Sequence, residues 1–163
     1  MAGRMVSTYL TMKYLHILGA TALLGTGAGI AFFMLMAHRT QDAAFIARTA
    51  AHVVLADVLF TATAIVAQPV TGLYLIRETG IPLSQSWVVA SLVLYVVAGA
   101  FWLPVVWMQS RMRDLAAQAA STGAALPAAY HRLFQWWFAF GFPAFGSVLV
   151  ILWLMIAKPQ LWG

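Results

Sequence analysis

Residues 79–110 read TGIPLSQSWVVASLVLYVVAGAFWLPVVWMQS, 32 residues between Glu78 and Arg111 without one Asp, Glu, Lys, Arg or His. A hydrocarbon core of about 30 Å takes roughly 20 consecutive apolar residues in a helix, so this stretch can span a bilayer. Three more flank it. Between Arg48 and Arg77 lie 28 residues whose only imidazole or carboxylate groups are His52 and Asp57. From Leu133 to Ala157 run 25 uncharged residues, and Ile17 to Ala37 offers 21 more. Four spans consume most of a 163-residue chain. The sequence therefore predicts an all-α, multi-pass integral membrane protein, with spans over about 9–37, 50–76, 87–110 and 133–157 in a single domain covering 1–163.

Composition agrees, with 63% hydrophobic and 8% charged residues, against about 25% charged in soluble domains. The first apolar run reads as a retained span, because it exceeds the usual signal-peptide core of about 7–15 residues and no polar mature domain follows it. The chain has no cysteine, which excludes disulfides, thiolate metal sites and iron–sulfur clusters. Its net charge of +5 does not point to nucleic acid, because the basic residues lie at span ends instead of forming one patch.

Helix signals place the boundaries. The first helix runs from the Ser7 region to His38. Asp42 can cap the second, since a short carboxylate accepts from free N–H groups at a helix start. Gly80, Pro82, Ser84 and Ser86 make the following turn. The third helix starts near Ser86 and projects past Arg111, because strong helix formers continue until Ser121-Thr-Gly123 stops it. Pro127 suits the first turn of the fourth helix, which ends at Lys158-Pro159. Short loops make neighbours antiparallel, giving an up-down-up-down four-helix bundle with both termini on one side.

Orientation follows from the Lys/Arg distribution. The side with the termini and the second loop holds Arg4, Lys13, Arg77 and Lys158; the other holds Arg39, Arg48, Arg111, Arg113 and Arg132. Lys13 and Lys158 sit at span ends and can serve a site, and setting them aside leaves two against five. Loops one and three are therefore expected in the cytoplasm of a bacterium, with the termini outside its inner membrane. Trp87 and Trp162 then mark the outer interface, and Trp107, Trp136 and Trp137 the inner one.

Depth decides which polar groups can meet. His16 lies 21 residues from Ala37, about 31 Å along the helix, and the same count sets it level with Gly72, Val89 and Leu154 on the other helices. The outer group is Lys13, His16, Gln68, Arg77, Met155 and Lys158. Each cation taken alone reads first as snorkelling to the interface. The deeper His16 reads either as an imidazole bonded to a backbone carbonyl or as an axial ligand to a b-type haem. In the second case Met155 or water takes the sixth position, and Lys13, Arg77 and Lys158 suit the anionic propionates.

The inner side holds His38, His52 and His131, read first as interfacial residues and otherwise as ligands to a metal or a second haem. Asp57, about two turns inside, is either neutral or paired with Arg48, Arg111 or Arg132, the ion pair being favoured over a proton relay. Gly25-x-x-x-Gly29 lets a neighbouring backbone approach closely, while Pro104 and Pro143 are expected to kink the third and fourth helices.

Met12-Lys-Tyr-Leu-His16-Ile, the Asp57 segment, Gln68-Pro-Val-Thr-Gly72, Trp102-Leu-Pro-Val-Val-Trp107-Met-Gln109, Arg111-Met-Arg113, Tyr130-His-Arg-Leu-Phe134 and Leu154-Met-Ile-Ala-Lys-Pro159 together resemble an uncharacterised bacterial family of four-span predicted integral membrane proteins. That resemblance covers nearly the whole chain and carries over no function. A more distant one is to the HemJ-type protoporphyrinogen oxidases, on Lys13-x-x-His16-Ile, Ala157-Lys158-Pro159, and the order Arg132, Trp137, Pro143. It implies a b-type haem ligated by His16, with Lys158 as a site residue. The acidic residue of that family's last helix has no counterpart in Phe138-Ala-Phe-Gly-Phe142, which bears on porphyrinogen oxidation more than on haem binding.

The expectation is a haem b membrane protein that passes electrons, a haem-dependent oxidoreductase linked to quinone or a porphyrin. Two rivals stand beside it. One is a metal-handling protein or transporter using His38, His52, His131 and the eight methionines. The other is a non-catalytic subunit of a larger membrane complex or homodimer, docking through the glycine face of the first helix.

Overall fold

The computed structural model describes the backbone of residues 2–162 and the side chains from Val6 to Trp162. Arg4, counted above for orientation, has its side chain outside the described residues. Four helices account for almost all of it: α1 (Ala2–Thr40), α2 (Ala43–Thr79), α3 (Ser86–Thr122) and α4 (Ala128–Ala157). All four are long and apolar enough to cross a membrane, and no strand occurs among the described residues.

Local chemistry sets the boundaries. At the start of α2, Asp42 Oδ1 accepts from the backbone N–H groups of Ala44 at 2.8 Å and Phe45 at 3.0 Å, satisfying donors a helix cannot bond internally. α2 ends where Gly80 takes φ +67°, and α3 ends at Gly123 with φ +68°. Both conformations are left-handed, a region open to glycine without a side-chain penalty. The Ile81 N–H then reaches back to the Ile76 carbonyl, and that of Ala124 to Ala119, the bond pattern of a helix stop.

One feature of α2 has no signal in the sequence. At Asp57–Thr61 the α-helical bonding gives way to a π-helical turn, and regular α-helix resumes at Ala62. A π turn inserts one extra residue into the helical ladder and rotates the faces on either side of it. The two halves of α2 accordingly differ in their partners. The first half packs on both α3 and α1 and the second runs along α1, while α3 and α4 form the most extensive pair.

The main core lies towards the end carrying loops one and three, the arginine-rich end. Met34, Ala37, Ile46, Ala50, Met112, Ala116 and Tyr130 are wholly buried there, with Phe134 and Trp137 beside them. At the termini end a smaller cluster joins Trp87, Val88 and Leu154, with Ile76 and Met155 against it. Elsewhere the helices turn large apolar side chains outward: Val66 is 67% exposed, Val96 69% and Ile156 76%. Soluble monomers rarely show so continuous an apolar surface, whereas lipid solvates it without penalty.

Candidate intramembrane site

His16 is held by the second half of α2. Its Nδ1 lies 2.8 Å from the Thr71 hydroxyl oxygen. That hydroxyl is itself 2.7 Å from the Ala67 carbonyl, a separation at which two oxygens repel unless a proton lies between them. The single hydroxyl proton therefore goes to Ala67, and Thr71 accepts from Nδ1–H. This places the imidazole proton on Nδ1 and leaves a lone pair on Nε2. The Gln68 backbone also lies within hydrogen-bonding reach of the ring.

The neighbouring contacts fix the ring plane. The Gln68 amide donates to the His16 backbone carbonyl at 2.8 Å. This bond requires close approach at Gly19, where a Cβ would fall 2.4 Å from the Gln68 amide nitrogen. A Cβ at Gly72 would meet His16 Cε1 at 3.2 Å. The segment Gln68-Pro-Val-Thr-Gly72 thus makes a seat for one histidine: an amide for its backbone, a hydroxyl for Nδ1, and a glycine beside ring atom Cε1. Level placement of His16 and Gly72, expected from residue counting, is what the structure contains.

The remaining outer residues fall into two groups. Lys158 and Met155 belong to the α3–α4 side, where the Lys158 ammonium sits 5.7 Å over the Trp87 ring and Met155 packs on the Trp87–Leu154 cluster. Ser86 pins this corner, donating to the Pro159 carbonyl at 3.3 Å and accepting from the Leu161 N–H at 2.9 Å. Lys13 and Arg77 are exposed, Lys13 less than one helical turn before His16. Met155 thus has a packing role; no described bond or ring contact joins it to His16.

A second polar cluster lies deeper, around Asp57. The carboxylate is 3% exposed and begins the π turn. The Gln109 amide, oriented so that donors meet acceptors, donates to Asp57 Oδ2 at 2.7 Å and accepts from the Trp137 indole at 3.1 Å. The Trp102 indole approaches Oδ1 at 3.4 Å. The arginine partner expected for Asp57 is not there: the ion pair among the described residues joins Arg113 to Asp114. Indole and amide donors satisfy a buried carboxylate while keeping their apolar bodies among the helices, so no guanidinium has to be drawn into the membrane. Trp137 is correspondingly an interior residue, 4% exposed, and does not belong with Trp107 and Trp136 at the interface.

These arrangements fall within a family defined by sequence. Residues 10–159 match the family model described as Predicted integral membrane protein (DUF2269). The chain belongs to that family. No functionally curated protein and no solved structure matches it.

In this DUF2269 protein the inner histidines do not form one site. His38 stacks on Phe134 with ring centroids 3.6 Å apart and lies 5.9 Å from the His131 ring, with Tyr130 Oη 3.3 Å from its Nδ1. His52 turns to a different face, bonded through Nδ1 to the Arg48 carbonyl at 2.9 Å, in a groove with Gly25 and Gly29. Among the described residues no three His, Cys, Asp or Glu side chains are grouped as a metal site would require. Gly25 and Gly29 have nothing within 4 Å of an added Cβ; the close helix contacts fall at Gly19, at Gly27 against Phe145, and at Gly72.

Proposed function

We propose that this chain is a haem b-binding membrane protein of electron transfer, with His16 Nε2 as the iron ligand. One observation carries the reading: Nδ1 lies 2.8 Å from the Thr71 hydroxyl, and a proton held there would leave the other ring nitrogen with its lone pair. Histidines that ligate metals are oriented in this way by a partner on the opposite nitrogen. Lys13, Arg77 and Lys158, at the termini end, suit propionate carboxylates, and an imidazole axial ligand belongs to ordinary haem chemistry. Bound haem would supply one-electron chemistry. This chain's residues would fix the imidazole and hold carboxylates at the membrane edge.

The substrate or redox partner in this reading is a quinone or a porphyrin, in a bacterial cytoplasmic membrane with loops one and three inside. Likeness to the HemJ-type oxidases at Lys13, His16 and Lys158 supports the porphyrin version. The test is a reduced-minus-oxidised visible spectrum of protein made with haem supplied, beside His16→Ala. A b-type difference spectrum lost in His16→Ala supports the reading; colourless protein after haem reconstitution ends it.

Asp57 favours a second reading, proton-linked transport, because an intramembrane carboxylate bonded to Gln109 and Trp102 without a cation is uncommon outside functional sites. Substrate-driven proton uptake in proteoliposomes, abolished by Asp57→Asn with the haem spectrum untouched, would favour it.

A further inference from the structure

At the arginine-rich end, α3 and α4 enclose a groove of about 410 Å³ that has no part in either cluster above. Trp107 and Arg111 line it from α3, Arg132, Leu133 and Trp136 from α4. In each helix the arginine and the tryptophan are four residues apart. The helices run antiparallel, so both spacings point the same way. Arg111 and Arg132 stand midway along the groove, with Leu115 and Ala129 about one turn further out, and the two indoles lie about 6 Å deeper, one helical turn towards the membrane. Both tryptophans are exposed, at 58% and 61%.

The charge of these two arginines is uncompensated. Neither Arg111 nor Arg132 has a carboxylate partner among the described residues; Asp114, the acidic side chain nearest in sequence to Arg111, is paired with Arg113 at 2.8 Å. Guanidinium forks match phosphate oxygens in pairs, and basic pockets between transmembrane helices take anionic headgroups. Indoles beneath them sit at the depth of the glycerol and first methylene groups, where tryptophan is enriched in membrane proteins. A free phosphate would use the two arginines alone and leave the apolar walls, Leu115 on one side and Leu133 and the two indoles on the other, without a partner.

We propose that this groove binds one anionic phospholipid. Its phosphate lies between Arg111 and Arg132, and its glycerol and upper acyl chains lie against Trp107, Trp136 and Leu133. The inference is independent of haem.

Native mass spectrometry of the full chain, released from micelles holding equal phosphatidylglycerol and phosphatidylcholine, tests it. Wild-type protein should carry the anionic lipid in about thirtyfold preference, as two arginines near anionic lipid provide. R111Q/R132Q should bring the ratio near parity, while R39Q/R48Q, which removes two arginines of the same end outside the groove, should keep it. If the double variant does not fold, R111Q and R132Q singly should each lower the preference. Equal retention by R111Q/R132Q or by both single variants, absence of preference in the wild type, or complete displacement of the lipid by inorganic phosphate would each overturn the assignment.

Discussion

Replacing Thr71 by valine keeps the branched shape and deletes the hydroxyl that accepts from His16 Nδ1 at 2.8 Å. An ordinary hydrogen bond contributes about 0.5–1.5 kcal/mol, and a buried polar group left without its partner costs about 1–3 kcal/mol. His16 is half-buried, which sets the expected loss at about 1–2 kcal/mol, or about 5–30-fold in binding. Removing the orienting partner of a metal-ligating histidine typically lowers affinity about 10–100-fold, and the two ranges overlap at about 10–30-fold. Haem titration of the purified protein, followed by the Soret absorption, reads this directly. Thr71→Val should weaken binding by that factor and keep the band position, because the iron ligand is retained. Thr71→Ser keeps the hydroxyl and should bind within about threefold of wild type, a difference under 1 kcal/mol. Wild-type affinity in Thr71→Val, alongside complete loss in His16→Ala, would refute the orienting role of the hydroxyl.

Other substitutions probe the packing around the site. Gly19→Ala drives a Cβ into the Gln68 amide and should release its bond to the His16 carbonyl, lowering stability in detergent by about 1 kcal/mol. Gly25→Ala, with nothing within 4 Å, should be neutral or raise stability by up to about 1 kcal/mol; thermal unfolding of the pair checks both. Gln109→Leu removes the partner of both Asp57 and Trp137 and should destabilise by about 2–5 kcal/mol, with haem affinity unchanged because the two clusters are separate. Ser86→Ala deletes the bonds to Pro159 and Leu161; amide exchange at Leu161 should quicken by about fivefold, the equivalent of one hydrogen bond, with α1 unaffected.

Apolar run lengths made the four helices legible, and capping chemistry set their ends: Asp42, Gly80 and Gly123 act as their residue types require. Counting residues from a common boundary was enough to bring His16 level with Gly72. Three things were not legible. The π turn at Asp57–Thr61 depends on packing from both sides of α2, and Val-Leu-Phe-Thr has no composition that marks it. The partners of Asp57 were misjudged because charge pairing was weighed above indole and amide donors, although Trp102 and Gln109 lie on the facing helix at fitting depths. The glycine contact was assigned to Gly25 and Gly29 on motif spacing, whereas helix crossing depends on which face a partner occupies. Thr71 was missed as well. Its signal was available in a hydroxyl one residue before the glycine already placed beside His16.

The assignment of the Nδ1 proton underlies the whole functional reading, and solid-state ¹⁵N NMR of histidine-labelled protein in lipid observes it directly. Before haem is added, His16 should show a protonated Nδ1 and a bare, pyridine-type Nε2, and adding haem should shift or broaden the Nε2 signal most strongly. A protonated Nε2 in the haem-free protein, or an Nε2 signal unmoved by haem, would contradict the account.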